Sequence, residues 1–153
     1  MNKTNKYFEI KLMNNKEMLF KAMKDKKHCF GLYFEGKFYL LMLKDASLID
    51  KLVAKNRSPE YKLLDVTVLH AILIEHILGI SKEEQASKQK IDYLRDADLG
   101  IEGVNKGKYG LVFFLNPTKI DEIKRISQKK ELMPQKSTDF YPKLITGLVI
   151  NRL

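Results

Sequence analysis

The sequence predicts an α+β domain: a mixed sheet with an N-terminal β-hairpin, a long buried central helix and C-terminal βαβ-type units. Three observations carry that expectation. Two runs of alternating apolar residues flank Glu35-Gly36, the mark of a hairpin with a two-residue turn. Residues 63–80, LLDVTVLHAILIEHILGI, are apolar round most of a helical circumference, as a central helix is. Beyond residue 90, strand-like and helical segments alternate, which is the pattern of βαβ units.

Taken in order, residues 7–12 (YFEIKL) alternate and predict a first strand. In residues 15–27, Met18, Leu19, Ala22 and Met23 recur at the spacing of an amphipathic helix. Phe30, Leu32 and Phe34 alternate before the turn, and Phe38, Leu40 and Met42 after it. Residues 45–55 predict a short helix with Leu48, Ile49 and Leu52 inward, and NRSPEYK is a polar connection. In the central helix, Val66, Leu69, Leu73 and Ile77 form one stripe. Asp65 is the expected N-cap and Gly79 the C-cap glycine.

Residues 81–90 (SKEEQASKQK) read as a polar loop or a frayed helical turn. A strand at 91–94, a helix at 96–108, a strand at 109–115, a helix at 118–130 and a last strand at 144–150 follow. Thr118 and Asp121 stand at capping-box spacing, and the acidic first turn and basic later turns of that helix complement its dipole. The organisation fits a single domain over residues 1–153, or two tightly packed halves meeting near residue 58.

Composition excludes several classes. With 44% apolar and 31% charged residues, the chain reads as a soluble globular protein. No apolar run reaches the roughly 18 residues a membrane helix needs. The N-terminal segment lacks the apolar centre of a signal peptide, so a cytoplasmic location is expected. Cys29 is the one cysteine, which rules out an intrachain disulfide, and it reads as a buried thiol. The net charge of +9 raises nucleic acid as a partner. The lysines are scattered, however, and only Arg57, Arg95 and Arg125 are arginine, so a solvated surface is the better reading. The hairpin aromatics read as core rather than as a base-stacking platform.

Two constellations invite chemistry. His70 and His76, with Glu75 beside them, suggest a metal site, but six residues on an α-helix turn about 240° and point the rings apart. No metal and no cofactor is predicted. The second constellation is MPQKSTDFYPK. Lys136-Ser137-Thr138 lacks the glycines and the strand-to-helix setting of a P-loop, so that reading fails. A looser anion site remains, in which Lys136, Ser137, Thr138, Tyr141 and Lys143 hold a phosphate or carboxylate. Ligands of open α/β sheets usually bind at the carboxyl ends of strands, which favours Asn116-Pro117-Thr118 at a helix start instead. Beside both stands the plain reading, a turn that feeds a buried strand.

LDVTVLHAILIEHILGI, GKYGLVFFLNPTKIDEIKRI and MPQKSTDFYPKLITGLVI, in that order and spacing, resemble the C-terminal part of the bacterial and archaeal domain of unknown function 1015 family. The resemblance covers about residues 28–153, and its last block is the most specific. It implies no established activity. Full members are more than twice as long, and their N-terminal part carries an Asp-Gly-His-His-Arg segment like that of ParB-like domains, a superfamily that includes nucleotide-using serine kinases. That segment is not in this sequence. The resemblance therefore implies a C-terminal fragment or separately encoded module, whose partner is the ParB-like half or a protein carrying it, with a link to serine metabolism. Its motif residues here are Pro134, Lys136, Ser137, Thr138, Phe140, Tyr141, Pro142 and Lys143.

The expectation is thus an accessory module, not catalytic alone, that helps bind a small anionic metabolite. A structural or protein-interaction module is the alternative, and a nucleic-acid-binding module the second alternative. The oligomeric state is not legible in the sequence.

Overall fold

Alternation in the first 43 residues builds the centre of the molecule. In a computed structural model, which describes residues 2–53, 56–87, 90–134 and 137–138, four strands form one sheet. They are β1 (Phe8–Met13), β2 (Cys29–Phe34), β3 (Lys37–Leu43) and β4 (Val112–Phe114), in the order β1-β3-β2-β4. Every described pairing is antiparallel. The β2–β3 hairpin closes on the pair Phe34–Lys37. Glu35 and Gly36 between them have φ of 50° and 73°, the two positive values a type I′ turn requires.

Both faces of this sheet are covered, which is why β2 reads CFGLYF with almost no polar break. Phe30 and Leu32 join Phe8 and Leu41 in one core, while Cys29, Tyr33 and Leu40 join a second core across the sheet. The strand period of two sends neighbours to opposite layers.

The second layer is α2 (Lys16–Met23) and α7 (Ala97–Asn105). Asn15 caps α2 by accepting the Met18 N–H at 2.8 Å, and Leu19 and Met23 point to the sheet. Lys16 and Asp98 bridge the two helices at 2.5 Å. The first layer comprises α1 (Asn2–Tyr7), which the sequence pattern does not signal, with α3 (Ser47–Leu52), α4 (Pro59–Lys62) and α5 (Asp65–Val68). There α5 runs directly into a nine-residue π-helix, Leu69–Ile77, whose Ile72 and Leu73 are fully enclosed. Then come α6 (Lys82–Ser87) and, after β4, α8 (Ile120–Gln128). A third small core joins Leu64, Val66 and Ile126, with Leu115 and Met133 against it.

The α+β class, the hairpin and the central helix are as expected, and the differences are local. Asp65 is the first residue of α5 rather than its N-cap. Its carboxylate instead accepts the His28 N–H at 2.7 Å, where a φ of 51° at His28 turns the chain into β2. Residues 69–77 pair i→i+5, and nothing in the local sequence accounts for the wider turn. Gly79 does end the helix, at φ 73°. Residues 82–87 are helical because Ser81 and Glu84 form a capping box, each side chain accepting the other's backbone N–H at 3.3 and 2.9 Å.

Residues 91–94 join no strand. The strand expected at 109–115 is only three residues long and pairs antiparallel with β2. The last predicted strand, 144–150, lies outside the described residues. At α8 the cap is Lys119, whose N–H donates to Glu122 Oε2 at 3.0 Å, so Glu122 does what the spacing assigned to Asp121.

Candidate functional site

The polar residues between α3 and α4 and one face of the α5–π-helix rod enclose a cleft of about 330 Å³. Leu52, Val53, Val66 and Ala71 give it aliphatic surface, and Pro134 of the C-terminal segment closes one side. Arg57, His70, Glu75 and Lys82 bring its charge and its imidazole, and Asn56, Tyr61 and Thr67 complete the lining.

The π-helix brings His70 and Glu75 closer together on this wall. On an α-helix, positions five apart are about 140° from one another, so His70 and Glu75 would face different neighbours. An i→i+5 helix turns more slowly, at about 4.4 residues per turn, and leaves them only about 50° apart. Both accordingly line the same cleft. The same geometry leaves His70 and His76 about 130° apart, no closer than the roughly 120° of an α-helix and too far to share a ligand. His76 Nε2 lies 2.7 Å from the Tyr7 hydroxyl, and the rings meet edge to face.

His70 is oriented from behind. The Gln85 side-chain NH2 donates to the Ile80 carbonyl at 3.0 Å, which turns its carbonyl oxygen toward His70. That oxygen sits 2.6 Å from Nδ1 and accepts its hydrogen. Nδ1 is therefore the protonated nitrogen, and Nε2 is the atom with a free lone pair. The ring stacks on Tyr93, 16° from parallel. Arg57 is placed by two contacts: its guanidinium lies 4.7 Å from the Tyr61 ring centroid, and Nη1 is 4.0 Å from Glu131 Oε1. Glu131 is itself fixed by the Ser58 hydroxyl and N–H, contacts that hold its carboxyl below the usual range. Thr67 is 7% exposed, and its hydroxyl has no hydrogen-bond partner among the described residues.

The residues singled out from sequence fall into two groups. Lys136, Tyr141 and Lys143 lie outside the described residues. Asn116, Thr118, Ser137 and Thr138 are described, and three of them serve the backbone. The Asn116 amide donates to the carbonyls of Met23 and Lys26 at 2.8 and 3.0 Å, tying β4 to the end of α2. The Thr118 hydroxyl donates to the Ser137 carbonyl at 2.7 Å, and the Ser137 hydroxyl to the Pro134 carbonyl at 2.6 Å. Thr138 is exposed. The two stretches that sequence reasoning kept apart are thus one locus, joined through Thr118 and Ser137. The start of α8 carries Asp121 and Glu122 in its first turn, and Glu122 already occupies the Lys119 N–H, which disfavours an anion there.

Arg57 and Lys82 were not joined to His70 and Glu75 in advance, since Arg57 sat in a polar connection and Lys82 in the polar stretch 81–90. Among the described residues, no group of three or more His, Cys, Asp or Glu is placed to hold a metal, and no helix is long and apolar enough to cross a membrane. Burial pushes the Cys29 thiol up, away from thiolate chemistry.

The molecule is therefore an α+β domain with helices on both faces of an antiparallel sheet and a polar-rimmed cleft beside a π-helix. No family model, no curated protein and no solved structure matches the chain.

Proposed function

We propose that this domain is an accessory module, not catalytic by itself, that binds a small anionic metabolite in the cleft beside the π-helix. The observation that supports it is the lining: Arg57, Lys82 and His70 round an aliphatic floor, at a volume suited to a small molecule. Arginine offers a planar fork that matches a carboxylate or phosphate, and its stacking on Tyr61 reduces the entropy lost on binding. Pro134 leads from this wall into Lys136-Ser137-Thr138, and in this reading Lys136 and Lys143 add charge to the same ligand. The proposal includes a cytoplasmic setting and, from the resemblance to the domain of unknown function 1015 family, a ParB-like half that completes the module.

Thermal unfolding with acetate, citrate and inorganic phosphate tests this. A ligand at about a hundredfold its Kd adds about 2.7 kcal/mol, which raises Tm by roughly 5–10 °C at this size. Arg57→Gln should remove the shift and keep the fold. Lys136→Ala should weaken it if the terminal segment takes part. No shift with any of the three anions, nor with a carboxylate-bearing amino acid such as valine, would reject the reading.

One observation favours the alternative of a structural brace for the terminal segment. The Thr118 and Ser137 hydroxyls are already committed to backbone carbonyls. On that reading Ser137→Ala lowers stability by about 1 kcal/mol and leaves every ligand response unchanged.

A further inference from the structure

Resting on the anion-binding reading, we propose that the cleft selects a small zwitterion of the α-amino-acid type, with its carboxylate on Arg57 and its ammonium on Glu75. The two groups of opposite sign that line the cleft are both under-used. Arg57 meets Glu131 only at 4.0 Å, beyond hydrogen-bonding reach, so none of its N–H groups is in a hydrogen bond among the described residues. Glu75 meets Lys82 at the same 4.0 Å, and its carboxylate likewise has no hydrogen bond among the described residues. Each pair is close enough to hold its side chain near the cleft and loose enough to yield to a ligand.

Charge then decides the ligand class. A site built for phosphate concentrates donors and excludes carboxylates. Here Glu75 is part of the lining wall, and Glu131 lies 4.0 Å from Arg57 outside the lining. A dianion would meet the Glu75 carboxylate directly, with Glu131 already beside Arg57, and the repulsion would offset part of what Arg57 and Lys82 supply. A zwitterion meets an opposite charge at each end. The aliphatic lining of Leu52, Val53 and Ala71 offers surface to a short side chain. A volume of about 330 Å³ is at the small end for ligand pockets, which suits a molecule of few heavy atoms. The geometry thus makes Glu75 the residue that sets specificity and Arg57 the anchor.

Titration calorimetry on the whole 153-residue chain tests this with the twenty protein amino acids, inorganic phosphate, and matched one-charge probes. For valine these are isovalerate, which lacks the ammonium, and isobutylamine, which lacks the carboxylate. The tightest amino acid should bind at least about tenfold better than its own two analogues, the effect of one charge-assisted hydrogen bond. Arg57→Gln should weaken the amino acid about tenfold or more. Glu75→Gln should erase the preference for the amino acid over its deaminated acid without weakening that acid, a split that loss of folding cannot mimic. Preference for phosphate or isovalerate, or amino-acid binding indifferent to both variants, overturns this proposal and leaves the anion-binding reading standing. No heat with any probe, acids and phosphate included, removes both.

Discussion

Asp65 and Thr67, two residues apart on the same turn, each carry a polar group into an enclosed place, and they resolve that conflict differently. Asp65 gains the His28 N–H, yet burial outweighs it and pushes the carboxyl above the ordinary carboxylate value of 3.8. A raised folded-state pKa means the ionised form works against the fold. The stabilising contribution is full below the ordinary value and is lost as pH rises through the elevated one. Asp65→Asn keeps an acceptor for His28 without the charge. Thermal melts should therefore show the Asn variant gaining on wild type as pH climbs from about 4 to 7, with the two converging at the acid end. Thr67 has no such partner, and an unsatisfied buried hydroxyl costs on the order of 1–3 kcal/mol. Thr67→Val should raise the urea-unfolding free energy by about 1 kcal/mol. A loss would mean that the hydroxyl is satisfied in solution.

At the scale of elements, the turn of the hairpin and the π-helix show opposite degrees of local control. Glu35-Gly36 forms a type I′ turn with glycine where it belongs and glutamate where asparagine is preferred. A non-glycine residue at φ 50° carries strain of about 1 kcal/mol. Glu35→Asn should recover roughly that amount, read from the denaturation midpoint at unchanged slope. The hairpin was legible because its signal is complete within a dozen residues, and so was the buried helix at 63–80. The switch from α to π pairing at Leu69 was not. Hydrophobic periodicity cannot report it where residues on every side are apolar, as Leu69, Ile72, Leu73 and Ile74 are. The cleft itself was hidden because it joins Arg57, the helical rod and Lys82, which lie far apart in sequence. The Ser81–Glu84 capping box, by contrast, was readable at S-x-x-E and marks a true helix start in a stretch whose polarity suggests a loop.

Across the whole molecule, the sheet and its second helical layer close tightly where β2 passes under α2. A Cβ on Gly31 would sit 2.9 Å from the side chains of Leu19 and Met23 and 3.0 Å from Phe114. Glycine there is a packing requirement, not a turn. Gly31→Ala should cost about 1–3 kcal/mol and lower the thermal midpoint, whereas a neutral result would show that the α2 layer can move outward. The cleft lies in the other helical layer, on the far side of the sheet. This substitution should therefore leave any ligand response intact in the folded fraction.

By itself, the sequence determined what local chemistry dictates: an α+β class, a two-residue hairpin, a central helix closed by Gly79, an acidic start to α8 and a thiol destined for the core. These depend on residue type at short spacing, so a period of two or 3.6 and a few cap residues suffice to specify them. Only the tertiary structure decided that β4 pairs antiparallel with β2, that Asp65 serves His28 rather than its own helix, and that Asn116 and Ser137 spend their polar groups on backbone. It also decided that Arg57, His70, Glu75 and Lys82 share one cleft. Each of these joins residues far apart in sequence or depends on a helical register. No pattern in a single chain records how backbone groups find partners or where two charges come to face the same space.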